Sequence, residues 1–219
     1  MKNTLLLSMI LLLSSCNEHK KIMVEKLDIN QLEKEGEKTA ITNTNFSYEL
    51  IKQFKDGSSF ELTGSVYEKG FVKREYPAKP SFETIYKEYY TNGNLKKKET
   101  LIGQYVKVGN SLSYNEDGSL DKTINEDKKF GKIKYQDVLS FLGKKKYINL
   151  TTGEGRMDED GRSVFNLYFK DENGKKFWII EIVKGKHNDK IPNGIGEPVT
   201  FLSLDYVMDG ETGDVVEEK

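Results

Sequence analysis

The stretch IYKEYYTNGNLKKK, residues 85–98, decides the fold. Two strand-prone runs flank Asn92-Gly93, and an Asn-Gly turn supplies the positive φ that a tight hairpin needs at its centre. A second copy follows at 112–122, LSYNEDGSLDK, with Asp117-Gly118 at its turn. Gly93 and Gly118 stand 25 residues apart, as do Leu95 and Leu120. A repeat of that period predicts stacked hairpins that bury a shared face.

The same grammar extends upstream. Phe46-Ser-Tyr48-Glu-Leu50 alternates, turns at Lys55-Asp56-Gly57-Ser58, and returns as Phe60-Glu-Leu62. Val66-Tyr67 and Gly70-Phe71-Val72 predict another hairpin around Glu68-Lys69, and Pro77 and Pro80 interrupt any ladder and mark a loop. Residues 46–127 thus read as a region of meandering antiparallel hairpins.

From about Lys128 the pattern changes. Tyr135, Val138, Leu139, Phe141 and Leu142 fall at helical spacing, with Gly143 placed to end the helix. Arg162 to Phe169 alternates as a strand, Asp171-Glu-Asn173-Gly174 turns it, and Phe177 to Val183 reads as a central strand covered on both faces. A Gly/Pro/Asn loop, 184–198, leads to a last strand with Leu202, Leu204, Tyr206 and Met208 on one face. The expected fold class is therefore α+β and β-dominated: meandering antiparallel hairpins, then a helix packed on a small antiparallel sheet over 128–219.

Two resemblances attach to these segments. Tyr89-Tyr90-Thr-Asn-Gly93-Asn-Leu95-Lys resembles the MORN-variant repeat, and Tyr114 to Leu120 is a looser copy with one extra turn residue, so the likeness covers about 85–122. It implies hairpins in interaction proteins, antitoxin-like ones included, and brings no catalytic residues. Tyr206-Val-Met-Asp209-Gly-Glu-Thr212-Gly213-Asp-Val215 resembles the closing strand and turn of PepSY-type domains, over about 133–216. That likeness implies one helix against an antiparallel sheet, with Asp209 and Gly213 shaping a turn. The long 184–198 loop departs from the compact PepSY pattern.

The beginning of the chain reads as an address. Lys2 precedes an apolar run from Leu5 to Leu13 that only Ser8 breaks, followed by Ser14-Ser15-Cys16. That three-part layout is a signal peptide over 1–15, and the run falls well short of the roughly twenty residues of a membrane span. Leu13-Ser14-Ser15-Cys16 resembles the lipobox of bacterial lipoproteins, which implies a thioether from Cys16 to diacylglycerol and cleavage before it. Only a thiolate attacks a lipid donor readily at neutral pH. Cys16 is the one cysteine in the chain, which argues against a core cysteine that fell there by chance. Two or three acyl chains hold a protein where one would not. Residues 16–45 are then anchor and polar tether, within which Ile22, Val24, Leu27, Ile29 and Leu32 offer a short strand or helix that docks. The expected address is the cell envelope, with the outer membrane favoured because Asn17 is not the aspartate that retains some lipoproteins at the inner one.

Composition narrows the function. The 34 basic and 35 acidic residues interleave to a net charge of −1, which argues against a nucleic-acid partner. His19 lies three residues past the anchor. His187, with Asp189 near by, is the lone candidate base or metal ligand, and a solvated loop histidine explains it better. Asp158/Asp160 and Glu116/Asp117 are chance carboxylate pairs. An EF-hand loop placing Gly161 sixth would start at Arg156, which offers no ligand oxygen; Gly118 and Gly174 fail the same way. Gly153-Glu-Gly155 lacks the rest of a dinucleotide fingerprint, and Trp178 sits in an apolar run as a core residue. The expectation is no catalytic, cofactor or metal residue, Cys16 as the single modification site, and a membrane-anchored module that binds a protein, with an inhibitor or immunity role as one form. The competing readings are a carboxylate-based hydrolase of envelope glycans and a structural assembly lipoprotein.

Overall fold

The computed structural model describes residues 25–159, 161–188 and 201–218. The leader, Cys16, His19, Asp160 and Asp189 lie outside the described residues.

The fold is α+β and β-dominated. Eight strands follow chain order in one antiparallel meander: β1 (Glu37–Ala40), β2 (Phe46–Gln53), β3 (Ser59–Ser65), β4 (Gly70–Tyr76), β5 (Glu83–Tyr89), β6 (Leu95–Ile102), β7 (Val106–Tyr114) and β8 (Leu120–Asn125). Helix α1 (Ile29–Glu35) precedes them, its start capped by Asp28, which accepts from the Gln31 N–H. A 3₁₀ turn (Glu126–Lys129) and helix α2 (Tyr135–Lys144) lead to a second sheet of β9 (Phe165–Glu172), β10 (Lys175–His187), β11 (Phe201–Asp209) and β12 (Val215–Glu218). There β10 is central, between β9 and β11, with β12 on the outer edge of β11.

The Asn-Gly and Asp-Gly turns at 90–94, 115–119 and 54–58 are one device. At 90–94 the Tyr90 N–H donates to Asn94 O (2.9 Å) and the Gly93 N–H to Tyr90 O (2.9 Å). The pairs Asn115/Ser119 and Gly118/Asn115 repeat both bonds, and so do Phe54/Ser58 and Gly57/Phe54. In each turn the Asx side chain accepts the N–H two residues on, and the glycine has φ of +82°, +85° or +84°. A third copy at 54–58 thus belongs to the series, outside the 25-residue period.

The repeated leucines do not share a buried face. Leu95 is 2% exposed and Leu120 57%, because β8 is the sheet's last strand and has no neighbour beyond it. Nor does Gly143 end α2: the helix runs through it to Lys144, and Lys146 takes the left-handed conformation (φ +64°). Leu202 is exposed, lying past the register shift between Ile182 and Lys186.

Two apolar clusters form on one face of the large sheet. Leu32 of α1 is buried among Leu62, Phe71, Tyr89 and Leu95, with Leu27 and Ile29 against them. Of the tether's expected docking residues, Leu27, Ile29 and Leu32 are thus part of the fold, and Ile22 and Val24 lie outside the described residues. Ile102, Val106 and Val108 join the other cluster with Val138 and Leu142 of α2 and with Leu167, Trp178, Ile180, Leu204, Tyr206 and Met208 of the second sheet. Burying each such side chain stabilises by about 1.5–3 kcal/mol.

Candidate functional site

The residues singled out in the sequence are spread among the core, the turns and the strand ends where they are described. The Trp178 ring is fully buried against Phe130 and Phe169, and its Nε1–H donates to Ile133 O (3.2 Å). Asp117 accepts from the N–H and hydroxyl of Ser119 inside its turn. Asp158 accepts from the Arg162 N–H and pairs with Lys184 at 2.8 Å. Asp209 accepts from the N–H groups of Glu211 and Thr212, closing the last turn with Gly213 at φ +80°. The His187 ring meets Phe201 edge-on at 5.7 Å. Among the described residues no three His, Cys, Asp or Glu side chains converge to hold a metal ion.

The site that sequence reading missed is made of arginine. Thirty-one of the 34 basic residues are lysine and only three are arginine: Arg74, Arg156 and Arg162. All three line one groove of about 500 Å³. Its floor is the face of the large sheet opposite the apolar clusters, where Glu61 of β3 lies across from Arg74 of β4 in strand register, with Thr84 and Leu101 of β5 and β6 beside them. One wall is the turn from Gly103 to Tyr105, and the other the segment from Arg156 to Phe165. Rarity was the available signal, since a chain that uses lysine for solubility spends arginine where a planar fork is needed.

Each arginine has a different situation. Arg156 is anchored: its guanidinium donates to Pro77 O (3.0 Å), Ser81 O (3.3 Å) and Glu83 O (2.7 Å), and it lies over the Tyr76 ring at 5.3 Å. Burial lowers its pKa from the ordinary arginine value, against the opposing pull of Tyr76 and Glu83. The loop that delivers it packs tightly, because a Cβ on Gly153 would come 2.7 Å from Pro80 Cα and one on Gly155 2.4 Å from Tyr147 O. Arg74 is exposed and lies 5.6 Å over the Tyr86 ring, with no carboxylate in ion-pair reach among the described residues. Arg162 stands at the rim, 3.5 Å from Asp158.

Glu61 is the one carboxylate among the described lining residues, and it already accepts from the Tyr76 hydroxyl (3.1 Å). Burial, with Glu61 beside it, raises the Tyr76 phenol above its usual pKa. Positive charge therefore exceeds negative in the groove. Its mouth is apolar: Tyr105 is 55% exposed and stacks on Tyr168 at 5.0 Å, and Met157 is 39% exposed. A neighbouring hollow of about 430 Å³ shares Glu61, Tyr76, Arg156 and Met157 and adds Ile51, 59% exposed.

Two further polar clusters are built into the sheets. Buried Lys87 binds Glu25 (2.7 Å) and Glu75 (2.8 Å), and the Tyr89 hydroxyl donates to Glu25 at 2.6 Å. Burial would raise both carboxyls, but hydrogen bonds from Lys87 and Tyr89 hold Glu25, and those from Lys73 and Lys87 hold Glu75, below the usual range. Both acids are thereby kept ionised, as a clamp on the entering chain. On the second sheet Glu181 and Asp205 face each other directly across β10 and β11, and Asn166 donates to Glu181 (3.0 Å). No helix among the described residues is long and apolar enough to cross a membrane. Comparison with protein-family models, with curated proteins and with solved structures returns no match.

Proposed function

We propose that this chain is an exported lipoprotein, anchored in the cell envelope through lipid on Cys16, whose folded part is a non-catalytic module that binds a protein partner. The observation that carries the reading is the groove itself. It gathers every arginine of a lysine-rich chain beside an exposed tyrosine and methionine. Arg, Tyr and Met are enriched at protein interfaces, whereas Lys and Glu are depleted there. An inhibitor or immunity role at the membrane is one form of this function.

The test has two arms in the native host. A photo-crosslinking residue at Tyr105 is expected to give a discrete protein adduct that the same residue at Lys122, on the far edge strand, does not give. If Tyr105 and other exposed positions yield no protein adduct in cells that hold the chain at the membrane, the binding function is wrong. Cys16→Ser is expected to lose acyl label and leave the membrane fraction; retention of both would overturn the anchor. The alternative, a carboxylate hydrolase of envelope glycans, draws on the opposed pair Glu181 and Asp205. It requires glycan cleavage that Glu181→Gln abolishes.

A further inference from the structure

We infer that the groove takes a peptide segment of the partner that carries a carboxylate beside an apolar side chain, the acid being held by Arg74. This rests on the protein-binding reading above and specifies its ligand.

The division of labour among the arginines leads there. Arg156 commits its donors to Pro77, Ser81 and Glu83 carbonyls and to the Thr84 hydroxyl (3.5 Å). It supplies positive potential rather than a free fork. Arg74 is exposed, braced by the Tyr86 ring and, among the described residues, pairs with no acid. Its fork is thus held in place and open to two parallel N–H···O bonds, the arrangement that matches a carboxylate. Burial and the adjacent Glu88 push the Tyr86 phenol up to about 12, so the brace stays neutral through the physiological range. Arg162 at the rim is paired with Asp158 (3.5 Å).

The surroundings select among anions. Glu88 and Glu99 lie on the same sheet face as Arg74, and Glu99 opposes Tyr86 directly in register. Both are already paired with lysines, Glu88 with Lys96 (3.3 Å) and Glu99 with Lys97 (3.0 Å) and Lys107 (2.7 Å). Among the described residues this leaves Arg74 as the unpaired cation among them, and the exposed Tyr105 and Met157 favour a ligand with an apolar group beside its acid. A peptide with one or two acids between apolar residues places its acid on Arg74 and its apolar neighbour on Tyr105 and Met157.

Fluorescence anisotropy with the purified full-length chain in detergent tests this. The probes are a fluorescein-labelled hexapeptide of four leucines with glutamate at its second and fifth positions, and its glutamine counterpart. The glutamate peptide is expected to bind at least tenfold tighter than the glutamine one, and to lose at least tenfold on Arg74→Glu. Arg74→Lys should fall between, since an ammonium keeps the charge without the fork. Lys122→Glu should leave binding unchanged, and Trp178 fluorescence checks that each variant is folded. Equal binding of the two peptides, indifference to Arg74→Glu, or binding of neither peptide would overturn the inference. So would competition by inorganic phosphate or oligogalacturonate in place of the peptide, which would reassign the groove to a small anion or a glycan. A protein adduct at other surface positions together with failure here would sink the groove while leaving the binding function standing.

Discussion

At the scale of single residues, Arg156 couples structure to site. One guanidinium ties three backbone carbonyls of the 77–84 segment and covers the Tyr76 ring. Those carbonyls belong to the connection from β4 into β5 and to the first residue of β5, whose conformation shapes the groove floor. Arg156→Ala leaves buried acceptors without donors, a loss of about 2 kcal/mol by the usual cost of breaking hydrogen bonds to a charged group. Arg156→Lys should recover less than half, because one ammonium cannot span three carbonyls. Urea unfolding followed through Trp178 measures both; an Arg156→Ala midpoint equal to the parent's would show that the clamp contributes nothing. None of this was legible in the sequence, where Arg156 figured only as the residue that spoils a calcium loop. Its role depends on contacts 73 to 79 residues away, a distance at which local pattern carries no information. Trp178 differs: an indole in an unbroken apolar run has few places to go other than the core.

At the scale of elements, the turns were the most legible features and the edges the least. Asp56-Gly57, Asn92-Gly93, Asp117-Gly118 and Asn173-Gly174 all turn where the sequence places them, since positive φ is a local demand with a short list of acceptable residues. Strands β1 and β12 have only four residues each. They exist because a neighbour offers a ladder, so their own residues announce little. Helix α1 is also tertiary in origin: seven residues are too few to be stable alone, and burial of Leu32 with the Glu25–Lys87 clamp fixes them. The clamp gives α1 a pH dependence whose sign is set. Glu25 and Glu75 have folded pKa values below their ordinary 4.5. Their stabilisation is full above that value and is lost as pH falls through the lower folded ones. Amide exchange should therefore show the Leu32 and Gly36 N–H groups losing protection below about pH 4.5, while the Ile180 N–H of β10 stays protected. Glu25→Gln should weaken the pH dependence. Protection of α1 that tracks β10 through the acid range would show that the carboxylates do not hold it.

At the scale of the whole molecule, the two clusters are fastened to the same strands. Strand β6 contributes Leu95 to one and Ile102 to the other, and β5 gives Tyr89 to the first while Phe82, just before it, enters the second. The chain leaves the large sheet at Asn125, close to the division expected at 127, but the packing crosses that point: Ile102, Val106 and Val108 are buried by α2 and the second sheet. Losing either cluster uncovers part of a strand whose remainder the other needs, so the clusters should melt together. Leu62 lies in the α1 cluster, remote in sequence from Trp178, and Leu62→Ala should cost about 2–5 kcal/mol for a buried leucine. If unfolding is one cooperative step, that change shifts the urea midpoint read by Trp178 fluorescence as far as the midpoint read by far-ultraviolet circular dichroism. Two independent units would leave the Trp178 transition where it was and split the dichroism curve in two. A shared shift would also mean that the groove, floored by one sheet and walled by the segment leading into the other, is held rigid by the stability of the entire fold.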